Sequence, residues 1–229
     1  MSGQTERGNL AVHSSPELYD RYTSEGVEAY DRVFIQRFLE EYRGLGKAGL
    51  RCLDLCTGTG QLVIKLATTP GVEAVSFEAF DLFDDMLEIA RANVRAAGLG
   101  ERIHISKADV HALPYGDDEF EMMMGRSIVH HWANPVLAFR EIHRVLAPGG
   151  VCVIHEPRRD PTAAALEAAN ADRDRIGVAP FHLEEKYTPG EVHEQLREAG
   201  VAKFDIFAPD DGPESIGFEI RIGKKRAAG

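Results

Sequence analysis

Basic charge, cysteine and long apolar runs are all scarce in this sequence. Lysine and arginine number 26 against 37 aspartates and glutamates, a formal net charge of -11. An acidic surface repels phosphate backbones, and no basic face compensates beyond the short tail "GKKRAAG", so nucleic acid is not an expected partner. The three cysteines, Cys52, Cys56 and Cys152, are an odd number with neither Cys-x-x-Cys nor His-Cys spacing. Buried, reduced thiols in a cytoplasmic protein are the expectation. No apolar run approaches the roughly 18 residues of a membrane span. The opening "MSGQTERGNLAVHSSPELYD" lacks the basic-then-apolar order of a secretory signal, so no membrane association is expected. The acidic cluster "GDDEFE" has no imidazole at ligand spacing and reads as a solvated turn, leaving no expected metal site.

What is present suffices for one good core. With 229 residues, 44% apolar and 28% charged, the chain reads as a single globular domain with a modest accessory segment. Residues 1 to 14 look loose. Over 15 to 42, Val27, Tyr30, Phe34, Phe38 and Leu39 recur at helical spacing, and Gly44, Gly46 and Gly49 end that region. Strands and helices then alternate. "LRCLDL", "AVSFEAF", "RIHIS", "EFEMMMG" and "GVCVIHE" are expected strands, with helices over 61 to 67, 84 to 97 and from the Asn134-Pro135 cap to 146. Beyond residue 156 an Ala-rich stretch, about 157 to 187, is too long for a simple connection and reads as an insert with its own helix. Thr188-Pro189 opens a further helix that Gly200 ends, and "AKFDIF" and "IGFEIRI" are the last strands. The pattern predicts an α/β fold: a doubly wound, mostly parallel seven-stranded sheet, preceded by an N-terminal helical lid (1 to 45) and carrying the insert within the main domain (46 to 229).

The stretch "RCLDLCTGTGQL" places glycines where the first strand turns into a helix. In an open parallel sheet the ligand crevice lies beyond the carboxyl ends of the strands. Gly58 and Gly60 let the backbone approach a ligand closely, and the following helix offers N–H groups and a positive dipole end. Asp54 brings a negative charge suited to a cationic amine. Asp81, 21 residues beyond Gly60, stands where a carboxylate accepts both hydroxyls of a ribose. A glycine turn by itself also serves plain geometry. The dinucleotide fingerprint fails in either frame, since Cys56-Gly58-Gln61 lacks two glycines and Gly58-Gly60-Val63 the third, so a nicotinamide oxidoreductase is not supported.

Taken in order, "LDLCTGTG", "FDLFDDMLEIARAN", "ADVHALPYGDDEFEMM" and "SIVHHWANPVLAFREIHRVLAPGG" resemble the successive motifs of class I S-adenosylmethionine-dependent methyltransferases, over roughly residues 51 to 156. The resemblance implies S-adenosylmethionine as cofactor and a small-molecule methyl acceptor as partner. It implies that Asp54, Gly58 and Gly60 surround the methionine part, Asp81 the ribose, and Leu82 and Met86 one face of the adenine. Asp109 would accept from the adenine amino group, the Val110 N–H would meet a ring nitrogen, and Ser127 would lie near the methionine carboxyl. Cys56 replaces the first glycine of the common form "LDLGCGTG" and is expected to pack beside the cofactor.

Methyl transfer from a sulfonium is an in-line displacement, so such an enzyme supplies positioning and, for a hydroxyl acceptor, a base. His130 and His131 follow the fourth strand on the crevice rim, and histidine titrates near working pH. Resemblance to small-molecule O-methyltransferases acting on sugars and phenols pairs the first histidine with an acid at the end of the fifth strand. Those positions are His130, the expected general base, and Glu156, which stands where an aspartate is usual. His155 should face the other side of its strand and be structural. Tyr19, Tyr22, His131, Arg158 and His182 are the expected acceptor-binding residues, contributed by the lid, the "HH" pair and the insert. O-methylation leads over N- or C-methylation. The reading of another class is a cofactor-binding protein without methyl transfer, a regulatory binder or cyclase scaffold.

Overall fold

The computed structural model describes residues 15–47, 49–210 and 213–225. The reading of residues 1 to 14 as loose, and most of the basic tail, lie outside them.

Seven strands form one sheet: β1 (Arg51–Leu55), β2 (Ser76–Asp81), β3 (Ile103–Lys107), β4 (Phe120–Arg126), β5 (Leu146–Pro157), β6 (Phe204–Phe207) and β7 (Gly217–Gly223), in the order β3-β2-β1-β4-β5-β7-β6. The first five run parallel, and β7 is antiparallel to both β5 and β6. The chain winds outward from β1 to β3 and then restarts on the other side of β1 with β4. That reversal opens the crevice between the ends of β1 and β4.

Because both faces are covered, side chains on the central strands alternate between two cores. Cys52, Met122, Met124, Val151 and Val153 pack toward α2 (Glu28–Leu45), α3 (Gln61–Ala67) and α4 (Asp84–Ala96), against Phe34, Phe38, Val63 and Val94. Leu53, Leu55, Met123, Cys152 and Ile154 pack the other way, against Phe139 and Ile142 of α5 (Pro135–Val145) and Val192 and Leu196 of α7 (Pro189–Glu198). Each fully buried large side chain contributes about 1.5–3 kcal/mol of transfer free energy. Both Asn134 and Thr188 cap their helices as the sequence predicts: Asn134 Oδ1 accepts from the Leu137 N–H, and Thr188 forms a reciprocal capping box with Glu191.

Three expectations shift. The helix over 15 to 42 is divided into α1 (Pro16–Arg21), a π-helical turn (Tyr22–Gly26) and α2. Residue 146 starts β5 instead of ending α5, because Leu146 pairs with Phe120 before a register shift; at Gly150 an added Cβ would lie 2.8 Å from the carbonyl oxygens of Ala147 and Glu121. Cys52 and Cys152 are buried, but Cys56 is half-buried at the crevice rim. The insert expected over 157 to 187 holds α6 (Ala163–Ile176). His155 packs edge-on against Phe34 with ring centroids 4.6 Å apart and meets Glu219 at 3.1 Å, fastening α2 to the sheet as a structural residue does.

Candidate active site

After Leu55 the chain turns through left-handed conformations at Cys56 (φ 50°), Gly58 (φ 57°) and Gly60 (φ 80°). A Cβ on Gly60 would lie 3.4 Å from Ala90 Cβ, so glycine there supplies both the dihedral and the fit against α4. Asp81 fixes the turn: its Oδ2 accepts from the Gly58 N–H at 2.8 Å and its Oδ1 from the Phe83 N–H at 3.1 Å. Asp54 is 1% exposed and takes a hydrogen bond from Thr57 Oγ1 at 2.6 Å, with no ion pair among the described residues. Burial pushes its pKa up to about 7 against the Thr57 bond, and the Asp81 charge adds to the rise. A buried carboxylate held that high is one that a cationic ligand would stabilise.

Past β3, Asp109 Oδ1 accepts from both the N–H and Nδ1–H of His111, at 2.9 and 2.6 Å, while His111 Nε2 accepts from the Asn134 N–H at 3.2 Å. His111, which sequence reasoning missed, therefore ties Asp109 to the start of α5 and leaves Oδ2 of the carboxylate for a ligand. Val110 and Met86 are buried, and Leu82 is half-buried just after β2.

The "HH" pair lies on a short 3₁₀ turn (Val129–His131) after β4. Glu156, fully buried at the end of β5, reaches beneath it: its Oε2 accepts from the N–H groups of Ile128 (2.9 Å) and Val129 (3.0 Å), and its Oε1 from the N–H of His130 (3.3 Å) and from His130 Nδ1. Glutamate at this position does make the contact with the imidazole. With Nδ1 donating to a carboxylate, Nε2 carries the lone pair. Ser127, just before the turn, is held at φ 57°, a left-handed non-glycine conformation costing roughly 1–3 kcal/mol.

His130 lines a cavity of about 190 Å³. Its walls include Tyr19 and Tyr22 of the N-terminal segment, Ser127 and His131, and His182 of the insert, so five residues named from sequence meet there with His130. Arg158 does not: it pairs with Asp160 at 2.8 Å and stays off the cavity wall. Two cations that sequence reasoning missed take its place, Arg173 on α6 and Lys186. Arg126, at the end of β4, was also missed; it pairs with Asp31 and lines both this cavity and a slot of about 20 Å³ beside the glycine turn. Its position next to Ser127 was the available signal. The segment from α1 packs on the glycine turn, α3 and α4: Tyr19 Cε1 would stand 3.2 Å from a Cβ on Gly58, and Asp20 Oδ1 accepts from Gln61 (2.9 Å) and Asn93 (2.8 Å).

This geometry matches a known family. Residues 46–200 match the model of a methyltransferase domain family. The chain belongs to that family. It is 30% identical over 157 residues to the 27-O-demethylrifamycin SV methyltransferase of Amycolatopsis mediterranei, covering 68% of this chain and 55% of that one. It is also 39% identical over 121 residues to the demethylmenaquinone methyltransferase of Thermus thermophilus, 52% of this chain and 53% of that one. It thus spans a little over half the length of these curated relatives. A solved structure from Methanococcus maripaludis, described as an S-adenosyl-L-methionine-dependent methyltransferase, superposes with a TM-score of 0.71 at 25% identity over 94% of both chains.

The cofactor of such a domain is S-adenosylmethionine, and the residues present fit it. The buried Asp54 has no ion-pair partner among the described residues and is a carboxylate that the cofactor's amino group would stabilise, and Asp81 stands at the end of β2 beside the glycine turn, bonded to the Gly58 N–H. Among the described residues, no cluster of His, Cys, Asp and Glu gathers to hold a metal, and no helix is long and apolar enough to cross a membrane.

Proposed function

We propose that this protein is an S-adenosylmethionine-dependent methyltransferase that acts on a hydroxyl group of a small molecule, in the cytoplasm, with His130 as general base. The observation that carries the reading is the His130–Glu156 pair: a buried carboxylate holds Nδ1, so the basic Nε2 is the ring nitrogen left to a cavity that shares Tyr19, Thr23 and Arg126 with the glycine-turn slot. The cofactor supplies an electrophilic methyl group on a sulfonium. Asp54, Cys56, Gly58, Gly60, Asp81, Leu82, Met86, Asp109, Val110 and Ser127 hold and orient it, with Asp81 on the ribose and Asp109 on the adenine. As the methyl group passes from sulfur to the acceptor oxygen and S-adenosylhomocysteine leaves, His130 would accept the hydroxyl proton and Glu156 would steady the imidazolium. The N-terminal segment from residue 15 to 45 and the insert (157 to 187) would exclude water over the acceptor.

Relatives divide between an O-methylated rifamycin precursor and quinone precursors, so the named chemistry rests on the base. His130→Ala should lower turnover roughly a hundredfold, because general-base catalysis contributes about 10² to 10⁴. Calorimetry with S-adenosylhomocysteine should meanwhile show nearly unchanged affinity. Full turnover by His130→Ala would mean transfer by proximity alone and would point to a carbon or nitrogen acceptor.

A further inference from the structure

Three cations, Arg126, Arg173 and Lys186, and one carboxylate, Asp172, line the acceptor cavity; Arg126 pairs with Asp31 and Arg173 donates to the Ala179 carbonyl, which leaves Lys186. Lys186 is 7% exposed and lines the cavity, yet among the described residues no hydrogen bond or ion pair holds its Nζ. Burial pulls its pKa down, partly offset by the charges of Glu156 and Glu185, and the positive charge of nearby Arg173 pulls the same way as burial. Glu156 is not its binding partner, since the two carboxylate oxygens already accept three backbone N–H groups and His130 Nδ1. The neighbouring cations of the insert are engaged elsewhere, Arg158 by Asp160 and Arg159 by Glu191. The Lys186 ammonium opens into the cavity instead of the packed interior, so an anion in the cavity can reach it, and a second cation nearby adds to the attraction.

The shape of the cavity adds the rest. The Arg173 guanidinium lies over the rings of Phe181 and Tyr22, 4.5 and 5.0 Å from their centroids, and forms a flat aromatic wall. Ala165, Ala168 and Ala169 recur on the facing side of α6 and leave open space. A dry cavity of about 150 Å³ accepts a benzene ring, so 190 Å³ admits one ring with small substituents.

Resting on the methyl-transfer reading above, we infer that Lys186, with Arg173 beside it, anchors an anionic group of the acceptor, and that the acceptor class is a small aromatic acid: one ring bearing a hydroxyl that faces His130 and a carboxylate held at Lys186.

The test compares para-hydroxybenzoate and its ortho and meta isomers with their methyl esters, by calorimetry on protein saturated with S-adenosylhomocysteine. At least one acid should bind tenfold or more tighter than its ester. Lys186→Met should erase that preference and Lys186→Arg should keep most of it, as expected for a charge-assisted bond. The ligand-free Lys186→Met protein should melt no lower than the native one, because an ammonium lacking a partner adds no stability. Equal binding of acids and esters, an acid preference that survives Lys186→Met, a marked fall in its melting temperature, or no acid bound at millimolar concentration would each overturn the inference. Binding and turnover separate the two claims. An acid held through Lys186 but never methylated leaves the anchor standing and sinks methyl transfer; acids and esters methylated equally do the reverse.

Discussion

The cofactor crevice and the acceptor cavity adjoin at Tyr19, Thr23 and Arg126, but they are built by different means. The crevice is made by the ends of consecutive strands: Asp54 lies one residue before the end of β1, Asp81 closes β2, Asp109 follows β3, and glycine dihedrals fix the turn among them. Its geometry follows from where each strand stops. The cavity is assembled from α1, the turn after β4, α6 and the loop to α7, segments far apart in the chain. Position in the cavity depends on how those segments pack, and its chemistry is set by side chains alone. A fold that hosts many acceptors keeps the first region under backbone control and leaves the second open to change.

The sharpest break between the two regions is in what each mutation touches. If Asp81 holds the ribose as proposed, Asp81→Ala removes two charge-assisted hydrogen bonds, each worth about 1.5–3 kcal/mol, and should weaken S-adenosylhomocysteine binding at least tenfold. Calorimetry with unchanged affinity would remove Asp81 from the cofactor site. On the other side, Glu156→Gln should lower turnover less than His130→Ala while sparing cofactor affinity. Combined with His130→Ala it should add little, because residues acting as one unit fail together; additive losses in the double variant would separate them.

A smaller effect reports the electrostatics of the crevice. Asp54 is raised to about 7 from an ordinary value near 3.9, so the ligand-free fold is most stable below about pH 4 as far as this group is concerned. That contribution is lost as the pH climbs through about 7, where the buried carboxylate must ionise. A cationic amine bound beside Asp54 lowers its pKa again. Cofactor binding near pH 6 should therefore release protons, and affinity should strengthen severalfold between pH 5.5 and 7.5, within roughly the span that one titrating group allows. Calorimetry in buffers of different ionisation enthalpy measures the release, and Asp54→Asn should abolish it. The least effect is structural: Thr188→Ala removes the cap of α7 and should cost about 1 kcal/mol, seen as a melting shift of roughly 2–4 °C with cofactor affinity untouched.

The same contrast explains what could be read from residues alone. Helix boundaries at Gln61, Asp84 and Pro189 follow from glycine, cap and proline signals next to them, and the strands from continuous apolar runs. The motif order proposed the crevice side chains by resemblance to the family, and the strand ends bring Asp54 and Asp81 beside the glycine turn. His130 and Glu156 meet because β4 and β5 are parallel neighbours, Arg126 opposite His155. Lys186 and Arg173 carried no such signal, since nothing in the spacing of an insert says which of its cations turns inward. Arg158 looked equivalent until Asp160, two residues on, claimed it. His111 was hidden for another reason: it acts by bridging Asp109 to the Asn134 N–H, a contact between loops that no period describes.

The central claim is that methyl transfer in this cavity ends on oxygen through His130. Its most direct measurement is incubation of the protein with methyl-labelled S-adenosylmethionine and hydroxylated aromatic acids, followed by mass-spectrometric location of the label. The account predicts a methyl ether formed by the native protein and at most about a hundredth of that rate by His130→Ala. A label on ring carbon, or an ether formed as fast without the imidazole, would contradict it.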